Sequence, residues 1–132
     1  DILDDYRISI FNNRMQKLHD KKLSVDGNNE VIIYNFKNGQ FSSFLKNSLI
    51  DNDVRTRNQG LGEILPNGDL FVEEQNFGRT LYFNSDGTLR WTHLNRSKNR
   101  KVYPIAWSRI LYNKRDISNV RNFLNNKSKC DD

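Results

Sequence analysis

The sequence predicts an all-β chain: a partial β-propeller of two four-stranded antiparallel blades plus one strand of a third, ending in a short C-terminal helix. Three observations carry that reading. Short runs with period-two patterning or β-branched and aromatic enrichment recur along the chain, turn signals separate them, and the whole pattern repeats in phase.

In chain order the strand candidates are YRISIF, EVIIYNF, QFSSFL, LFVEE, RTLYF and TLRWTHL, bounded by NN, KNG, PNG and SDG turns. Ile2 to Ile10 can be laid on Ile64 to Val72, 62 residues further on. Tyr34, Gly39, Phe41 and Asn47 then match Tyr82, Gly87, Leu89 and Asn95 at a spacing of 48, so the first copy carries an insertion of 14 residues between its second and third strands. A truncated third copy lays Trp107-Ser108-Arg109-Ile110-Leu111 on Leu61-Gly62-Glu63-Ile64-Leu65. The expected boundaries are a blade over 1–47, a blade over 60–95, a third-blade inner strand over 103–112 and a helix over 116–126. Asp116 is the expected N-cap of that helix, with Ile117, Val120, Phe123 and Leu124 on one face.

A single β-sandwich accounts for the turns but not for the phased copies. Rings are built from about four to eight blades, so this arrangement cannot close by itself. Remaining propeller blades or a second chain are expected to cover its open edges.

Composition bounds the chemistry. The formal net charge is +5, which favours anionic partners. The basic run RSKNRK has no interleaved aromatics, which argues against nucleic acid. No run approaches the roughly 18 apolar residues of a membrane helix, and no charged-then-apolar start reads as a signal peptide. The single cysteine, Cys130, allows no internal disulfide and no cysteine-based zinc site, and the sequence calls for no cofactor or metal.

Propeller connectivity sorts the connections onto two ends. Short turns fall at Asp4-Asp5, Lys37-Asn38-Gly39, Pro66-Asn67-Gly68 and Ser85-Asp86-Gly87; the longer connections, 13–29, 47–60, 75–78 and 96–102, fall at the other end. Ten basic and four acidic residues give the long-loop end a charge of +6, against −2 at the short-turn end. Long loops on a rigid scaffold tend to carry binding residues. Arg55, Arg57 and Gln59 precede an inner strand, and Asn76 and Arg79 flank the neighbouring loop. These five are the expected anion-binding residues, since guanidinium forks suit sulfate or phosphate oxygens.

Other conspicuous residues carry plainer readings. His19 lies in the long insertion and His93 on an outer strand, so both read as surface residues. Glu73 and Glu74 point to opposite sheet faces and read as edge or rim acids; Trp91 and Trp107 read as core. Asn95-Arg96-Ser97 and Asn126-Lys127-Ser128 match the glycosylation pattern, which is short enough to arise by chance.

The stretch GEILPNGDLFVEEQNFGRTLYFNSDGTLRW resembles the blade pattern of aryl sulfotransferase-like propellers: an LPNG turn, a strand, a GR-containing strand, a DG turn and a strand ending in Trp. ILDDYRISIFNN followed by NNEVIIYNF is similar to the preceding blade, and the likeness covers roughly residues 1–112. The resemblance implies a C-terminal part of a six-bladed, periplasmic or secreted enzyme. Such an enzyme moves a sulfuryl group from a phenolic sulfate ester to another phenol through a sulfated histidine. It places that histidine just before Asp1 in the first blade and at Gly60 in the second, and neither His19 nor His93 matches. On this reading the chain supplies anion-binding groups for an aryl sulfate and lacks the nucleophile; a propeller-derived binding or structural module without chemistry is the alternative.

Overall fold

The computed structural model describes residues 1–17, 23–25 and 27–127. His19, Asp20, Lys21, Lys22, Asp26 and Cys130 lie outside them.

The first sheet orders its strands β1 (Ile2–Asp4), β2 (Arg7–Asn12), β5 (Glu30–Asn35) and β6 (Gln40–Phe44); the insertion between β2 and β5 contains a small hairpin of β3 (Met15–Lys17) and β4 (Leu23–Val25). A short helix α1 (Lys46–Asp51) leads into the second sheet, β7 (Leu61–Ile64), β8 (Leu70–Glu74), β9 (Arg79–Phe83) and β10 (Leu89–Leu94), with a 3-10 turn over Gln75–Phe77. The chain ends in α2 (Lys114–Lys127). Each sheet is an antiparallel meander in chain order, so two blade-like units stand side by side in an unclosed all-β fold.

The two meanders meet through one apolar layer. Period-two alternation sends Phe11, Val31 and Phe44 to one face of the first sheet, and Ile64, Leu70, Val72, Leu81 and Phe83 to the facing side of the second. Leu49 of α1 and Val54 complete the cluster, so the interblade link is itself core. A short helix was not expected over 46–51: six residues span less than two turns, too few for a helical period to show. The opposite face of the second sheet carries Leu65, Phe71 and Tyr82, with Leu61 and Ile110 packed on them.

Register corrects the match between the copies. Ile8 pairs with Tyr34 in the first sheet, and Leu70, the counterpart of Ile8, pairs with Phe83. Tyr34 therefore corresponds to Phe83 and not to Tyr82, and six residues separate Tyr34 from its partner Phe41 where five separate Phe83 from Leu89. The Tyr82 match keeps the chemistry and reverses the face.

Asp69 fastens the short-turn end of the second blade. Its carboxylate accepts from the Tyr82 hydroxyl (2.7 Å), the Asn67 side-chain amide (2.7 Å) and the Ser85 N–H (2.8 Å), tying the β7–β8 turn to the β9–β10 turn. These donors, the Tyr82 hydroxyl foremost, hold the Asp69 carboxyl below the usual aspartate range. Burial, with Asp69 alongside, pushes the Tyr82 phenol up.

Two expectations at the C-terminal end change. Residues 103–112 have no strand ladder, because no neighbouring strand among the described residues supplies one. The helix is capped by Asn113, whose Oδ1 accepts the Arg115 and Asp116 N–H groups, which places Asp116 in the first turn. Val120, Phe123 and Leu124 of its apolar stripe stay largely exposed.

Candidate functional site

The described parts of the longer connections meet at one end, where polar side chains fix them. Asn29 is the first of these. Its Nδ2 donates to Asn13 O (2.8 Å) and Thr56 O (3.2 Å), and its Oδ1 accepts the Thr56 N–H (2.5 Å), so the end of the insertion, the end of β2 and the link into β7 meet at one amide. Asn76 does the same for 56–58. Its Oδ1 accepts from the Thr56 hydroxyl (2.6 Å) and the Arg57 N–H (3.1 Å), while its Nδ2 donates to Asn58 Oδ1 (3.2 Å). The Thr56 hydroxyl also lies against Gln59 O.

Alternation on β8 sends Glu73 and Glu74 to opposite faces, as expected, but neither is a rim acid: they are 2% and 1% exposed. Burial of an unpartnered carboxylate is costly, and each is fully engaged. Glu74 Oε1 accepts the Arg55 N–H (2.6 Å), and its Oε2 takes the Arg79 guanidinium at Nε. Arg79 Nη2 also donates to Asn52 O (3.2 Å) and Asp53 O (3.0 Å), which spends that guanidinium on the protein itself. Glu73 receives the Trp107 N–H (3.2 Å) on one oxygen and the Ser108 N–H (2.6 Å) on the other.

Three of the five expected residues line two separate pockets. Arg55 and Arg79 line a shallow pocket with Asp53, Glu74 and Phe77, where the exposed Arg55 pairs with Asp53 at 2.6 Å. Gln59 belongs to a cavity of about 340 Å³ lined by Asn13, Asn58, Gly60, Leu61, Glu73, Gln75, Trp107 and Arg109. Arg57 lines neither and is exposed, and Asn76 braces the loop that carries it. Part of the positive charge at this end is offset locally, since Glu30 lies 3.7 Å from Arg14 and 3.3 Å from Lys46.

Gly60 sits on the rim of that cavity. A Cβ there would overlap Thr56 Cγ2, lie 2.5 Å from a Phe11 ring carbon and 3.2 Å from Glu73 O. The place where the resemblance puts a histidine in the second blade therefore has no room for a side chain. His93 is exposed on β10, the outermost strand.

Sequence reasoning missed Trp107, Arg109 and Glu73. Trp107 was expected in the core and is 81% exposed. It stands on a segment whose N–H groups are held by Glu73, and only the fold brings positions 73 and 107 together. Trp91, likewise expected in the core, is 38% exposed and stacks on Tyr82 with ring centroids 5.5 Å apart.

Among known proteins, the family described as Arylsulfotransferase (ASST) has a model that matches residues 1–96. No curated protein and no solved structure matches the chain. The matched residues span both blade-like sheets and the link between them, nearly three quarters of the sequence, and the chain belongs to the arylsulfotransferase (ASST) family.

Proposed function

We propose that this chain is the C-terminal portion of an enzyme that moves a sulfuryl group from a phenolic sulfate ester to a phenol. Arg55, Arg57 and Gln59 supply anion-binding groups, with Asn76 and Arg79 holding the loops that present them. The observation that carries this reading is the pairing of family membership with a long-loop end built around exposed guanidinium groups and a cavity of substrate size. In the transfer, sulfur passes from the phenolic oxygen to a nucleophilic imidazole and then to the acceptor oxygen, while guanidinium groups offset charge on its three oxygens. Among the described residues no imidazole fits that role, since Gly60 has no space for one and His93 stands on the outermost strand. Further blades or a second chain cover the first sheet's other face, where Ile10 and Phe41 are exposed. The setting is periplasmic or secreted, on family grounds alone.

The test is transfer from 4-nitrophenyl sulfate to a phenol by the product of the full reading frame. Arg55→Ala and Arg57→Ala each lower the rate by at least about tenfold, the worth of one hydrogen bond to a charged group. An active protein indifferent to both changes removes these residues from the site. A protein inert toward aryl sulfates supports the second reading, a propeller-derived binding module, which the lack of room for a histidine at Gly60 favours.

A further inference from the structure

Residues 103–112 lie beyond the family match, yet they are fastened to the second blade at four points. Gly78, in the left-handed region, lets the Tyr103 carbonyl approach so closely that any Cβ would collide with it. Ile105 N–H donates to Gln75 O (3.3 Å), Glu73 holds the Trp107 and Ser108 N–H groups, and Ile110 packs on Leu65, Phe71 and Tyr82.

None of these fastenings uses the Trp107 indole. The backbone there has φ +64°, a conformation costing a non-glycine residue about 1–3 kcal/mol, and it persists because Glu73 and the packing around it fix the segment. The outcome is an exposed indole on the lip of the cavity beside Gly60, with the Arg109 guanidinium 5.6 Å from its ring centre. Arg109 spends one donor on Ser108 O (2.9 Å), which leaves the rest of its fork for a ligand. Asn13, Asn58 and Gln59 also line the cavity.

We infer that Trp107 and Arg109 form a ring-and-anion clamp that selects the occupant of this cavity, and that Glu73 is its positioning residue. The indole offers a flat face to an aromatic ring, and the guanidinium meets an oxyanion carried on that ring. The ligand class is an aromatic ring bearing an anionic oxygen group. That the anion is a sulfate ester rests on the sulfuryl-transfer reading; the clamp itself does not.

The test reads binding without turnover. The full chain is labelled with ¹⁵N, and the indole N–H signals of Trp91 and Trp107, assigned with Trp107→Phe, are followed during titration with 4-nitrophenyl sulfate. Methyl sulfate, which has no ring, and nitrobenzene, which has no anion, are titrated separately. The Trp107 signal shifts saturably with the aryl sulfate, and the other two probes bind at least about tenfold more weakly. Arg109→Ala, an exposed change, weakens the aryl sulfate while leaving nitrobenzene unaffected. Glu73→Gln weakens the aryl sulfate and speeds exchange of the Trp107 and Ser108 amides with β8 and β9 still protected. An unmoved Trp107 signal, methyl sulfate binding as well as the aryl ester, or wild-type affinity in both Trp107→Ala and Arg109→Ala overturns the clamp. A clear titration alongside absent sulfuryl transfer leaves the clamp standing and sinks only the enzyme reading.

Discussion

The two blades share a topology and differ in what covers them. The second is enclosed on both faces, by the first blade on one side and by residues 103–112 on the other, so all of β8 and most of β9 are buried. The first is enclosed on one face only; Ile10 and Phe41 point away from the interface, and Phe41 is 68% exposed. Their polar fastenings follow the same division. In the second blade Asp69 gathers a tyrosine, an amide and a backbone N–H out of water, whereas its neighbour's Asp4 accepts from Tyr6 N–H and Arg7 Nε at the surface. One supersecondary unit becomes core or shell according to its neighbours, and stability should concentrate in the enclosed copy.

The largest expected contrast is apolar. Phe83→Ala, in the shared core, should cost about 3–5 kcal/mol, whereas Phe41→Ala should stay within about 0.5 kcal/mol, both read from denaturant midpoints. Similar losses at the two sites would erase the distinction between the blades.

Next comes Glu74→Ala, which strands a partly buried Arg79 and the Arg55 N–H. It should cost about 3 kcal/mol, while breaking the exposed Asp4–Arg7 pair should leave the midpoint unchanged. Gly60→Ala should follow at about 1–3 kcal/mol, since the new methyl must displace Thr56 and the Phe11 ring at the seam between the blades. A neutral Gly60→Ala would mean the seam is looser than described and that a side chain can enter the cavity there.

Much of this was legible beforehand because the controlling signals are local. β-Branched and aromatic enrichment in LFVEE and RTLYF, with a glycine-containing turn beside each, marks both as strands. The clustering of long connections at one end follows from antiparallel order alone. The site was less legible because its decisive contacts join distant residues: Glu73 with Trp107, Glu74 with Arg79 and Asn52, Asn29 with Thr56. Adjacent glutamates on a strand look like solvent-facing acids until a segment thirty-odd residues later brings its N–H groups to one of them. Trp107 misled in the opposite sense, since an aromatic on an apolar run is ordinarily buried.

The smallest effect expected is one of pH. The Asp69 carboxyl titrates below its unfolded value of about 3.9, so its contribution is fully present above that value and is lost as pH falls through the lower folded value. Asp69→Asn should therefore lower stability at neutral pH and flatten the acid limb of the stability profile. An acid limb of unchanged slope would show that Asp69 is not the group that couples the two turns.

Backbone hydrogen exchange tests the division between the blades most directly. Amides of β8 and β9 should exchange slowest, those of β5 and β6 earlier, and the Trp107 and Ser108 amides should be protected through Glu73. Equal protection of β6 and β8, or free exchange at Trp107 and Ser108 in the unaltered protein, would contradict the account.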